Sequence, residues 1–263
     1  MQRRPLILAG LAAGAAAAWP GRAAADPTGG DPFKSFQWPE IKKEFFGAQA
    51  RTVFDERVKV QGPSFAEDPM NVPITVQADL PGVQRIVVVV DRNPIRKVLE
   101  LQPLAARPAV SFRFKLEQAS PVRAAAQTAD GVWHVGGTWV DSAGGGCTVS
   151  GATRADGSWS QTLGQVSAKV FSSSPTGGGD AAARLRLRIM HPMDTGLVSG
   201  VPAFYMNRLA VRDARGRELL RIQTFEPVSE NPVFSFDFAE RPPGPLRIEG
   251  RDNNGNRIVS QVE

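Results

Sequence analysis

The sequence predicts an all-β protein of two β-sandwich domains with one short helix at the front. Short runs with apolar residues at alternate positions recur from Arg57 to the end of the chain. Turn-forming residues such as Leu80-Pro81-Gly82 and Asp130-Gly131 separate them, and one polar, glycine-rich stretch divides the series in two. Alternation with period two puts one side of a strand in a core and the other in solvent, and many short strands at this spacing fit a sandwich.

The first 25 residues are read as an export signal rather than as part of the fold. Met1-Gln-Arg-Arg4 is basic, Leu6 to Trp19 is a small apolar run, and Ala23-Ala24-Ala25 ahead of Asp26 forms a cleavage site of the A-x-A kind. The run is shorter than the ~20 predominantly apolar residues that a membrane span needs. Export implies a periplasmic protein with no membrane span once the signal is cut. The signal also holds Arg3, Arg4 and Arg22 and no acid, so cleavage removes three of the chain's five net positive charges. What remains has no dense basic block and no recognition motif, which excludes nucleic acid as a partner.

Phe33 to Phe46 (FKSFQWPEIKKEFF) combines Pro39 near the start with Ile41, Phe45 and Phe46 at near-helical spacing, and predicts the short helix. Strands follow in RVKVQG, VPITVQAD, QRIVVVVD, AVSFRFKLE, PVRAAAQT and GVWHVGGTWV. They make a first sandwich over residues 26–147, ending in a glycine arm. Residues 148–180 are read as a linker: polar at first, with one helix or strand around Trp159 to Phe171, and closing in SSSPTGGGD. ARLRLRIM then opens a second, smaller sandwich over 181–263, with Leu185, Leu187 and Ile189 inward and Arg184, Arg186 and Arg188 outward. Phe234, Phe236 and Phe238 share one side of a later strand.

The chemistry concentrates on one residue. Cys147, the chain's single cysteine, stands directly behind Gly144-Gly145-Gly146 in DSAGGGCTVSG. One cysteine makes no intrachain disulfide and no thiolate cluster, and the two histidines, His134 and His191, form no metal-ligand spacing with it, so no metal or cofactor is expected. A Cys147–His134 nucleophilic pair is arithmetically available, but a glycine tether is a poor mount for a catalytic thiol, and no catalytic residue is assigned. Buried free cysteines are common in proteins generally. The glycines and the polar Thr148 to Gly151 favour an exposed thiol here, on an arm reaching roughly 13 Å beyond the last strand. A thiol presented this way suits covalent carriage of a small group into a partner's active site. A non-covalent adapter, with the thiol incidental, is the alternative. His191-Pro192-Met193-Asp194-Thr195-Gly196 reads as a strand end entering a turn, His134 as a sheet-surface residue, and the Arg184/Arg186/Arg188 row as a solvated or domain-interface face.

The arm resembles the glycine-flanked cysteine of SoxY, the sulfur-carrier subunit of periplasmic sulfur-oxidising systems, and VPITVQADLPGVQRIVVVVDRNP (72–94) resembles its strand-turn-strand core. Downstream, RLRLRIMHPMDTG (184–196) followed by ENPVFSFDF (230–238) resembles SoxZ. The resemblance implies two immunoglobulin-like sandwiches, SoxY-like then SoxZ-like, fused in one chain and meeting through their apolar sheet faces. It implies a carrier rather than an enzyme, with Cys147 as the attachment point, Gly144, Gly145 and Gly146 as its flexible arm, and periplasmic oxidoreductases as partners. In SoxY the cysteine sits near a free C terminus, whereas more than a hundred residues follow Cys147. Fused chains of this kind resemble the SoxYZ-like carriers associated with PQQ-dependent quinoprotein dehydrogenases.

Overall fold

The computed structural model describes residues 27–172 and 182–263. The expected signal, 1–25, and the SSSPTGGGD end of the expected linker, except Ser172, fall outside them, as does Ala181. The front helix is present: α1 (Trp38–Ile41), with Pro39 in its first turn, continues as a π-helical turn over Lys42–Phe46.

The first half then contributes β1 (Thr52–Phe54), β2 (Val58–Gln61), β3 (Phe65–Ala66), β4 (Val72–Ala78), β5 (Val83–Val90), β6 (Lys97–Gln102), β7 (Ala109–Phe114), β8 (Ser120–Thr128) and β9 (Trp133–Ser142). Two short helices follow, α2 (Ala152–Asp156) and α3 (Trp159–Thr162), then β10 (Val166–Ser172). The second half holds β11 (Ala183–Ile189), β12 (Met206–Arg212), β13 (Glu218–Thr224), β14 (Val233–Phe238), β15 (Leu246–Asp252) and β16 (Arg257–Val262). The stretch read as a linker is therefore largely structured, and β10 pairs antiparallel with β11 along its whole length.

Both halves feed the same two sheets. The larger runs β1-β9-β8-β5-β6-β13-β12-β15-β16, with β3 also on β9, and the smaller runs β10-β11-β14-β7-β4-β2. Each half is thus a two-layer sandwich, and the two are joined edge to edge. β6 pairs with β13 from Leu99↔Thr224 to Gln102↔Arg221, and β7 meets β14 at Ser111↔Ser235. This corrects the face-to-face meeting expected from sequence. The inner sheet faces are already covered within each half, so the unpaired backbone edges of β6, β7, β13 and β14 are what the halves satisfy in each other.

One apolar core runs through the joined sandwich, from Val76, Phe112 and Phe114 to Leu185, Phe234 and Phe236. A second cluster lies on the outer face of the larger sheet, where Trp38 and Ile41 cover Val87, Val89, Ala125 and Trp133. This double covering explains why β5 reads as an unbroken valine run and β8 as three alanines: both faces of these central strands are dry, so alternation disappears. Arg123 on β8 fixes the covering segment. Its Nε donates to Asp91 at 2.8 Å and its two Nη atoms to Asp31 at 2.6 and 2.8 Å. The guanidinium also lies 4.5 Å from the Trp38 ring centre and 4.9 Å from that of Phe33.

Candidate functional site: a closed thiol between the two halves

The Cys147 segment begins where β9 ends and lies along the residues that follow β7. Leu116 turns inward to the core and donates its N–H to Pro69 O at 2.7 Å. Asn93 clamps the same stretch from the other side, its Nδ2 donating to Lys115 O at 2.7 Å and its Oδ1 accepting from Glu117 N–H at 2.9 Å. Gly146 packs directly onto this backbone. A Cβ there would fall 2.3 Å from Pro69 O and 2.5 Å from Leu116 O, so the position admits no side chain. Gly144 and Gly145 take φ values of 98° and 87°, which side-chain-bearing residues rarely adopt.

The thiol is consequently buried, with 0 % of Cys147 exposed. Its N–H donates to Glu117 Oε2 at 2.8 Å, and Glu117 Oε1 accepts from the Thr148 hydroxyl at 3.0 Å. Sγ lies 3.6 Å from Lys115 O. The second half supplies the opposite wall: the Thr195 hydroxyl donates to Cys147 O at 2.7 Å, and Lys115 Nζ donates to Met193 O. The exposed thiol on a mobile arm expected from sequence is corrected here. Glycines permit flexibility, but their missing side chains equally permit close backbone packing, and neighbours 30 residues or more distant along the chain provide the surface.

The electrostatics keep the thiol neutral in this position. Burial pushes its pKa up to about 12, the Glu117 carboxylate adds to the rise, and Lys115 opposes it. Burial also lowers the Lys115 pKa, with Cys147, Asp194 and Glu230 opposing that shift. His191 Nδ1 accepts from Met193 N–H at 3.1 Å, while Nε2 lies 3.6 Å from an Asp252 oxygen without a hydrogen bond. Burial takes the imidazole pKa down to about 4, so it is neutral near pH 7.

Beyond Cys147 the chain is tied down again. Glu230 accepts from the N–H groups of Ala152 and Thr153 at 2.9 and 2.7 Å, and Arg154 Nε donates to Asp194 at 2.9 Å beneath the Trp159 ring. Residues 144–151 therefore form a loop anchored at both ends. Eight residues of extended chain carry its apex at most about 14 Å from the anchors.

The other residues singled out from sequence divide clearly. His134 binds Asp55 through Nδ1 at 2.7 Å. It stands eight residues before the end of β9, about 27 Å along the strand, so no Cys147–His134 pair forms. Arg57, chiefly, holds the Asp55 carboxyl far below its ordinary range. Arg184 is paired with Asp237 at 2.6 Å. The His191–Gly196 turn, read as structural, forms the wall against Cys147. Lys115, Glu117 and Asn93 were not singled out; the one trace of them is a Lys and a Glu bracketing a buried leucine after β7 alternation ends. Among the described residues no group of three His, Cys, Asp or Glu could hold a metal, and no helix is long and apolar enough to cross a membrane.

A continuous double sandwich with a glycine-flanked cysteine at the seam of its halves defines a two-part thiol-bearing protein. The family model described as sulfur oxidation protein SoxY matches residues 42–147, ending on Cys147, and that described as sulphur oxidation protein SoxZ matches 176–263. The chain is a fusion of a SoxY domain and a SoxZ domain, families of sulfur-oxidation carrier and adapter proteins rather than enzymes. Among solved structures, the sulfur carrier protein SoxY from Chlorobium limicola f thiosulfatophilum is similar at 21 % identity, over 40 % of this chain and 90 % of that one, with TM-score 0.37. A superoxide reductase (neelaredoxin) from Ignicoccus hospitalis is similar at 14 % identity, over 37 % and 98 %, with TM-score 0.31. No curated protein matches the sequence.

Proposed function

We propose that this protein is a periplasmic sulfur carrier whose cargo is bound covalently to Cys147, and that the structure is its closed state. The observation that carries the reading is the placement of the chain's single cysteine at the end of its SoxY domain, behind three glycines and against a wall from its SoxZ domain. Joining the Cys147 thiolate to an incoming sulfur anion forms an S–S bond and releases two electrons. The loading partner is therefore an oxidoreductase that accepts them, and a PQQ-dependent quinoprotein dehydrogenase is the partner we favour. Opening frees the thiol from the burial that keeps it protonated, and the hinge glycines absorb the backbone change.

The burial of the thiol is the observation that favours the second reading, an adapter that docks a dehydrogenase non-covalently. Intact-mass measurement of protein isolated from the periplasm without reductant separates the two: an adduct on Cys147 is expected, and a uniformly unmodified thiol would remove the carrier reading. Cys147→Ser should fold, at a cost of about 1 kcal/mol for a hydroxyl in a thiol site, and fail to restore the process in a deletion strain. Full complementation would establish the adapter.

A further inference from the structure

We propose that the outer face of the smaller sheet is a docking surface for an acidic protein partner, held by Arg113, Arg186 and Arg188. In register, Arg188 on β11 faces Val233 on β14, and Arg186 faces Ser235. Because Ser235 in turn faces Ser111 on β7, Arg113 falls in the row of Val233 and Arg188. The three guanidiniums thus stand on one face, drawn from both halves of the fusion. All three residues are exposed, and among the described residues none has an ion pair or hydrogen bond from its side chain.

The adjoining strand positions show what a merely neutralised surface would look like. Arg184, the next outward residue on β11, faces Asp237 and is paired with it through two hydrogen bonds. Opposite Arg186 and Arg188 the chain instead places Ser and Val, so neither guanidinium has an acid facing it on β14. The acids at the rim are engaged elsewhere: Glu230 accepts from the start of α2, and Asp68 Oδ1 accepts from Met70 N–H at 2.9 Å.

Shape indicates a protein rather than a free ion. Two adjoining hollows of about 520 and 420 Å³ share Arg113, Arg186 and Val233. They extend from Gln61 on β2 to Arg188 on β11, four strand spacings or about 19 Å. A small oxyanion needs convergent, enclosed donors, whereas spaced and exposed guanidiniums match carboxylates spread over a partner's surface. The hollow at Arg188 also includes Asp68, Met70 and Ala152, so it borders Pro69, whose carbonyl packs on Gly146. This deepens the carrier reading and rests on it only in naming the partner as the protein that meets the opened Cys147 loop.

The test uses the full chain and a fluorescein-labelled octaglutamate peptide as probe, read by anisotropy. Arg113→Ala/Arg186→Ala/Arg188→Ala is expected to weaken binding at least about tenfold, by loss of three charge-assisted contacts. Arg113→Lys/Arg186→Lys/Arg188→Lys should retain most of it. Arg208→Ala/Arg251→Ala/Arg257→Ala, at a second set of exposed arginines in direct register on β12, β15 and β16, should stay within about threefold of the parent. Amide shifts of the unaltered chain under titration should be largest at residues 111–113, 186–188 and 233–235, a readout that does not depend on the alanine variant folding. Unchanged affinity in the groove variant, or shifts centred on the second set, would overturn the proposal. So would displacement of the peptide by inorganic sulfate at matched charge, which would define a small-anion site. Cys147→Ser should bind the probe normally. If the thiol never carries an adduct yet the groove binds, the carrier reading alone is lost; if an adduct forms and the groove does not bind, the docking surface alone is lost.

Discussion

Arg123 and Lys115 are both withdrawn from solvent, at 0 % and 2 % exposure, and their surroundings differ in kind. Arg123 meets two carboxylates, each through two hydrogen bonds, and two aromatic rings, and so fastens the N-terminal segment to the larger sheet. Among the described residues Lys115 has one backbone carbonyl within hydrogen-bond reach, while Cys147, Asp194 and Glu230 act on it electrostatically. A buried cation with full partners makes a permanent joint. One with a single neutral partner leaves its desolvation cost largely outstanding. In the proposed carrier cycle, the Lys115–Cys147 region is the part of the molecule from which a segment leaves.

The comparison breaks most visibly at Arg123. Arg123→Ala strands Asp31 and Asp91 as buried carboxylates without their cation, and should cost about 3–5 kcal/mol in urea unfolding. A loss under about 1 kcal/mol would show that the joint is not what holds the segment. Gly146→Ala acts on the other region. Its methyl group would overlap Pro69 O and Leu116 O, both backbone atoms that cannot swing aside, so the closed loop should lose about 1–3 kcal/mol. We expect labelling of Cys147 by a chromogenic disulfide to accelerate at least about fivefold, with the urea midpoint lowered by no more than the loss in closed-loop stability. Unchanged labelling would mean that the closed loop does not limit access to the thiol.

The smallest effect sharpens the difference without mutation. The closed thiol's pKa, about 12, lies above that of an unburied thiol. Closure is therefore fully held below about pH 8.5 and weakens as pH rises toward 12. A free cysteine stops gaining reactivity once it is ionised, near pH 9. The native protein should instead keep gaining about tenfold per pH unit above pH 9, because each further rise favours the open thiolate. A plateau at pH 9 would show that the thiol is not held closed.

Legibility followed the range of the interactions. Strands such as β4, β11 and β14 were readable because one face is dry and the other wet, which writes itself as alternation. β8 carried Arg123 among buried alanines, and nothing local indicated that Asp31, 92 residues upstream, would pair with it. Cys147 stood out by its singularity and its glycines, yet its burial did not, because the covering residues come from Lys115 to Glu117 and from Met193 to Thr195. The His191–Gly196 motif was visible and its role was not, since a turn discloses its own geometry and not what it faces.

By itself the sequence determined the all-β character, the front helix, the division into SoxY-like and SoxZ-like halves, and the place of the single cysteine behind its glycines. Periodicity, turn residues and composition are local properties, and they survive in a one-dimensional record. The tertiary structure decided that the halves join edge to edge, that the glycine segment is packed rather than extended, and that Arg113 stands with Arg186 and Arg188 on one face. Those outcomes depend on which distant backbone edges and polar groups satisfy one another when the chain closes, and that pairing is set by the sum of the fold's contacts rather than by any one segment.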